Sequence, residues 1–437
     1  MTMDSEKGSY VLATFEGGGS VAPFITLARK LLAQGHDVRI VSDACNEAEA
    51  RAVGAAFSPW KRAPSRTQRG RDHEPMRDWE AENDFAGICL LLDIQMAGRA
   101  EDFARDMIEI LQEHPADLVI ANDVILGAMM GCEALGVPFA VLGCHPFTYP
   151  VVEGMIPMGP ALAPPVTAED AAVIAQIRAA IMGTFDTRLP CYNQARANLG
   201  LSPLARLADQ IFAARKVLMA TSSAYDFAPE VLPDLFAYVG PQLDDNLWSR
   251  PWVSPFAADD PRPLVLVSFS TTFQDHAGQL QSVIDGLAAL DVRAVVTLGG
   301  VIDGTEVRGA DNVHVVESAP HGELLREASL VICHGGHGTV MKTACAGLPQ
   351  IIIPHGRDQG DNAMRITHRG AGLMLPRGSD SAAIREAALR LLTEPAFTQN
   401  ARALGERIRA SYADDDILRA IEAITRPATR AKQPCMA

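Results

Sequence analysis

An apolar run, Leu330 to Cys333, leads directly into His334-Gly335-Gly336-His337-Gly338-Thr339, and no other stretch of this 437-residue chain restricts the fold so tightly. The pattern is that of a buried strand, a glycine turn and a short helix. A second strand, Gln350 to Ile353, and a polar loop, Pro354-His355-Gly356-Arg357-Asp358-Gln359, follow it. A helix that starts on a glycine turn aims unpaired N–H groups and the positive end of its dipole at whatever lies in front. Such a terminus is an anion site, and a phosphate is its commonest occupant. Asp358 and Gln359 offer an acceptor and an amide of the kind that suits sugar hydroxyls.

The same alternation of strand and helix runs through both halves, as expected of mostly parallel sheets. In the first half, strands are expected at Tyr10 to Phe15, Asp37 to Ser42, Asp117 to Ala121, Pro138 to Cys144 and Lys216 to Thr221. Glu16-Gly17-Gly18-Gly19-Ser20 turns the first strand into a helix with Phe24, Leu27, Ala28 and Leu31 on one face. The pattern restarts at Pro263 to Ser268 and continues through Arg293 to Leu298, Val313 to Val316, the motif above and Leu373 to Pro376.

We therefore expect an N-terminal domain over 1–241, a linker rich in Pro, Asp and Trp over 242–262, and a second domain over 263–411. A terminal helix over 412–427 is expected to pack back on the first domain. Two excursions, Arg62 to Arg105 and Val151 to Thr167, interrupt the first half, and long segments at strand ends often line a ligand cleft.

A formal charge of -15 argues against a nucleic-acid partner, because phosphate backbones select basic surface. The eight cysteines are scattered without a CxxC pair, as expected of free thiols. Without an apolar run long enough to span a bilayer, or a signal-type start, cytoplasmic residence is the expectation. His334 and His337 are three apart, but no third ligand stands in register, so no metal is expected.

The ordered set Val267-Ser-Phe-Ser-Thr-Thr272, His334-Gly-Gly-His-Gly-Thr339, Ala346-Gly-Leu-Pro349, Asp358-Gln359 and Asp361-Asn-Ala363 resembles the nucleotide-sugar-dependent glycosyltransferases of the GT-B fold. The likeness is to the inverting group of UDP-glucosyltransferases and bacterial antibiotic glycosyltransferases. Tyr238-Val-Gly-Pro241 and the glycine turn before Ser20 support it. The resemblance implies an α/β architecture of two Rossmann-like domains facing a central cleft. The acceptor would be an apolar small molecule bound by the first domain. A UDP- or TDP-linked sugar would be bound by the second, with no further cofactor. It places His334, Gly336, His337, Gly338, Thr339 and Thr271 at the diphosphate, Ser318 and Ala319 at the base, and Asp358 and Gln359 at the sugar. A homodimer is left open.

Two departures from the family pattern matter. Ser318-Ala319-Pro320 stands where relatives place a tryptophan under the base, and Lys342 stands where they commonly place a glutamate for the ribose. More seriously, Ser20 in Gly19-Ser20-Val21-Ala22-Pro23 occupies the position of the histidine that deprotonates the acceptor. A serine hydroxyl is far too weak a base for that work. His36 lies a helix away and is read as structural. Asp123, His145 and Glu16 are the candidate substitutes, and an acceptor that arrives ionised would need none of them. Two other functions stay open: a glycosyltransferase-like helper without turnover, suggested by Ser20, and a sugar-nucleotide epimerase.

Overall fold

The computed structural model describes residues 7–244, 252–269 and 271–425. Part of the expected linker (245–251) and the last two residues of the expected terminal helix lie outside them.

Seven parallel strands build the first sheet: β1 (Ser9–Ala13), β2 (Asp37–Ser42), β3 (Ala56–Pro59), β4 (Leu118–Asn122), β5 (Phe139–Gly143), β6 (Val217–Met219) and β7 (Phe236–Tyr238), in the order β3-β2-β1-β4-β5-β6-β7. Six more parallel strands build the second: β8 (Leu264–Ser268), β9 (Arg293–Thr297), β10 (Val313–Val316), β11 (Ala328–Cys333), β12 (Gln350–Ile352) and β13 (Gly372–Met374), ordered β10-β9-β8-β11-β12-β13. β4, β5 and β8 are buried along their whole length, because helices cover both faces of each sheet. The sequence reading anticipated every strand except β3 and β7, which are short and lie at or next to a sheet edge, where little apolar signal is needed.

Strand order reverses once in each sheet, between β1 and β4 and between β8 and β11. Loops leaving the carboxyl ends of such neighbours diverge to opposite faces and open a crevice. The glycine turn at 17–19 leaves β1 and Asp123 follows β4. Thr271 and Thr272 follow β8, and His334 to Gly338 follow β11. The glycine turn, Asp123, the threonine pair and the histidine-glycine motif therefore sit at the two switch points, while His145, Ser318, Ala319, Asp358 and Gln359 follow the neighbouring strands β5, β10 and β12.

The two halves meet across the crevice through named contacts. Asp361 receives the backbone N–H groups of Gly159 (2.8 Å) and Ala161 (3.2 Å) from the Pro- and Met-rich excursion. Arg357 pairs with Asp78 (2.6 Å), and Trp79 packs edge-on to Phe273 at 4.9 Å. The helix Asp416–Thr425 packs on the first half, its Ile417 and Ile421 buried with Tyr10, Leu12 and Leu118.

Candidate functional site

The glycine turn after β11 does what its residue types require. Gly335 has φ +101°, and a Cβ there would meet the Gln359 carbonyl and Ile352 at 2.8 Å. Gly336 caps the helix His337–Ala346 without a side-chain bond. The first intrahelical donor near that end is Val340, bonded to the Gly336 carbonyl at 3.1 Å. The N–H groups of His337, Gly338 and Thr339 have no acceptor within the helix and point into a pocket. Ser268, Thr271, Ser318, Ala319, His334 and Asp358 help line that pocket. Across it stand Gly17 to Ser20 of the first half. Gly18 adopts φ +73°, and a Cβ there would press on the Thr271 and Thr272 side chains.

His334 is buried, and its Nδ1 has no partner among the described residues. Burial, followed by the neighbouring His276, His355 and Arg357, holds its pKa well below the ordinary histidine value. An imidazole so placed is neutral until an anion arrives to favour its charged form. His276 and His355 were not singled out by sequence. They pack around Phe269, His276 stacked on it at 5.6 Å, and burial depresses their pKa values to about 3 and about 4.

Asp358 and Gln359 both line this pocket and differ in how they are held. Gln359 is buried, its Nε2 donating to Gln274 (2.9 Å) and its Oε1 accepting from the His355 backbone (2.7 Å), so it shapes the turn. Asp358 accepts from Asn362 at one oxygen, Oδ2 (2.9 Å), and lines the pocket. Arg357, which precedes it at φ +60°, also lines the pocket and bonds Thr272 (3.0 Å) as well as Asp78.

A second cavity of about 470 Å³ opens on the other side of Ser20. Met76, Ile88, Leu91, Met96, Met158 and Phe185 give it an apolar wall, so both excursions of the first half contribute to it. The polar end holds Asp123, His145 and Tyr149. His145 Nε2 bonds Asp123 Oδ2, which also accepts from the Tyr149 hydroxyl (2.8 Å). His145 Nδ1 lies 2.6 Å from the Pro146 carbonyl, which can only accept. Both ring nitrogens therefore carry protons. Burial alone would lower the His145 pKa, but the Asp123 charge and hydrogen bond raise it to about 9. Burial would raise that of Asp123, yet the His145 charge, with bonds from His145 and Tyr149, leaves it below the usual carboxylate value. Asp123 Oδ1 is left buried without a partner among the described residues.

Of the remaining candidates, Glu16 and His36 stand outside both cavities. Glu16 Oε1 accepts from Gly18 N (3.0 Å) and Oε2 pairs with Arg69 (2.9 Å), so it braces the glycine turn from behind. His36 accepts from Gly8 N and packs edge-on to Tyr10. Lys342 lines the pocket beside Ser318 and Ala319. Ser20 lines both cavities, together with Gly17, Arg357 and Asp358. Among the described residues no group of three His, Cys, Asp or Glu side chains could hold a metal ion, and no helix is long and apolar enough to cross a membrane.

Residues 281–424 match the family model of the erythromycin biosynthesis protein CIII-like C-terminal domain. Along nearly its full length the chain is 25% identical to 4'-demethylrebeccamycin synthase of Lentzea aerocolonigenes, covering 95% of this chain and 99% of that protein. It is 28% identical to the L-demethylnoviosyl transferase of Streptomyces niveus over 88% and 89% of the two chains. Among solved structures, the glycotransferase of kitacinnamycin superposes with a TM-score of 0.72 at 19% identity, over 97% of this chain and 100% of that one. Glycosyltransferase VinC in complex with DTDP gives 0.68 at 17% identity, over 95% and 99%.

Proposed function

We propose that this chain, a glycosyltransferase of the GT-B fold, moves a sugar from a nucleoside diphosphate to an apolar small molecule with inversion at the anomeric carbon. The observation that carries the reading is the meeting of two unlike cavities at Ser20, Arg357 and Asp358. One is furnished for an anion and the other for an apolar body. A sugar attached to a diphosphate held at the His337–Ala346 helix end would place its anomeric carbon at that junction. An acceptor in the apolar cavity would reach it from the side opposite the leaving group. Charge developing on the diphosphate would be met by helix N–H groups, His334 and Thr271. UDP and TDP donors both suit this reading, and the DTDP carried by VinC supports the latter.

The base in this reading is Asp123. His145 has no free lone pair, so it acts as a charged partner that keeps Asp123 ionised and in place. Oδ1 is the remaining acceptor of Asp123, a residue that lines the acceptor cavity. A carboxylate of depressed pKa is a weak base, which favours acceptors with an acidic O–H or N–H over plain alcohols.

The test is incubation with UDP- and TDP-hexoses and a panel of phenols, indoles and macrolide alcohols, with products read by mass spectrometry and anomeric configuration by NMR. We expect an inverted glycoside, and Asp123→Asn to lower kcat by on the order of 10²- to 10⁴-fold while nucleotide affinity holds. Nucleotide binding with no product from any acceptor would favour a helper without turnover. A new sugar isomer from donor alone would favour an epimerase.

A further inference from the structure

His337 sits at the first position of the anion-binding helix, yet its side chain is set up to accept a hydrogen bond. Asn362 fixes this. Its Nδ2 lies 2.9 Å from the Gly335 carbonyl and 2.9 Å from Asp358 Oδ2, and both of those can only accept. The amide oxygen must then face the other way, where it takes the Tyr225 hydroxyl (2.7 Å) and His337 Nδ1 (2.9 Å). Nδ1 of His337 is therefore the protonated nitrogen and Nε2 carries a lone pair. Burial lowers the pKa of this ring and keeps it neutral. Nε2 is sealed from solvent without a partner among the described residues, in a residue that is 6% exposed and lines the donor pocket.

In this neutral form Nε2 has no proton to give a phosphate oxygen, whereas a hydroxyl can donate to it as it stands. A buried acceptor without a partner costs free energy that only a donor restores. Resting on the glycosyltransferase reading, we propose that His337 Nε2 accepts a hydrogen bond from one hydroxyl of the transferred sugar. With Asp358, bound to the same Asn362, it forms a pair of acceptors that selects a sugar carrying donors at two positions. His337 is then a specificity-determining residue for the sugar, and the phosphates are left to the backbone N–H groups and His334.

Calorimetry on the full chain tests this without an acceptor. UDP and TDP, their glucose conjugates and the singly deoxygenated glucose conjugates would be titrated into wild type, His337→Ala and His337→Gln. In wild type, loss of one particular hydroxyl should weaken binding on the order of tenfold to a hundredfold. His337→Ala should weaken the glucose conjugate by a similar factor, lose discrimination at that one position and leave the bare diphosphate unchanged. His337→Gln, whose amide can donate to Asn362 and accept from the sugar, should keep much of the discrimination and guards against misfolding of the alanine variant. The inference is overturned if bare diphosphate affinity falls in parallel in both variants, or if wild type is indifferent to every hydroxyl. Absence of binding by any nucleotide would instead sink the glycosyltransferase reading beneath it.

Discussion

In the proposed mechanism, Asp123 and His145 divide between them the work that a single histidine on the first glycine loop does in the family this chain resembles. The imidazolium lowers the pKa of the carboxylate beside it, so Asp123 is ionised but only weakly basic. This arrangement has a readable consequence. In His145→Gln the cation is gone, the Asp123 pKa rises, and activity that requires ionised Asp123 begins to fail at higher pH. We expect the acid limb of the kcat/KM profile to move upward in that variant, with nucleotide affinity unchanged; an unmoved limb would mean that Asp123 is not the group titrating. At this scale the sequence was legible where type and position coincide. Ser20 could be seen to lack a base, and Asp123 and His145 follow strands. Nothing in the spacing marked Tyr149 as a partner of Asp123, or Asn362 as the residue that sets the tautomer of His337. Those roles depend on which atoms converge from elements far apart in the chain.

Among the elements, the strand–turn–helix units explain why so much of the fold followed from pattern alone. Each strand that flanks a switch point is buried on both faces, so it is written as a continuous apolar run, and each turn that must approach another backbone is written with glycine. Gly335 illustrates the second rule, since its positive φ and the 2.8 Å approach of the Gln359 carbonyl leave no room for a side chain. Gly335→Ala should cost about 2 kcal/mol through backbone strain, with more from the clash. It should also push the turn away from the helix end. Thermal melts and nucleotide titration together check this, and a variant with wild-type stability and affinity would show that the turn relaxes freely. The edge-side strands β3 and β7 were missed for the converse reason, being three or four residues long with little to bury. The excursion over Arg62 to Arg105 was expected to line a cleft, but its π-helical segment over Leu92–Met96 had no signature in composition.

Across the whole molecule, a buried polar seam joins the halves, and none of it was visible in the sequence. Arg365 and Asp226 are fully buried and paired at 2.7 Å, with Phe147 N and the Tyr238 hydroxyl also bonded to Asp226. The ring of Phe227 lies against Arg365 and Arg369 at 4.7 and 5.0 Å. An arginine on a helix reads as solvated until the other half of the chain covers it. Such a seam couples the two sheets in unfolding, so titrating groups in either half should appear in one stability profile. His276 provides the cleanest case. Burial holds its folded pKa at about 3, against an ordinary value of 6.5, and neither ring nitrogen has a partner among the described residues. Between these two values the unfolded chain binds a proton there that the folded chain does not. The contribution is fully present above pH 6.5 and is lost as pH falls toward 3.

Other groups titrate in that range, Asp361 among them, held up to about 6 by burial, so the informative quantity is a difference between two proteins. His276→Phe keeps the stack on Phe269, removes two orphaned nitrogens and cannot take a proton. We expect its stability relative to wild type to be constant above pH 7 and to grow steadily as pH is lowered from 6.5, as measured by denaturant unfolding at a series of pH values. For His145→Gln the sign reverses. The His145 contribution is present below 6.5 and lost as pH rises through about 9, so this variant should lose most relative to wild type in acid and least in alkali. If either difference were flat across its window, the corresponding imidazole would titrate alike in the folded and unfolded chain. Its assigned surroundings, an apolar packing site for His276 or a carboxylate partner for His145, would then be wrong.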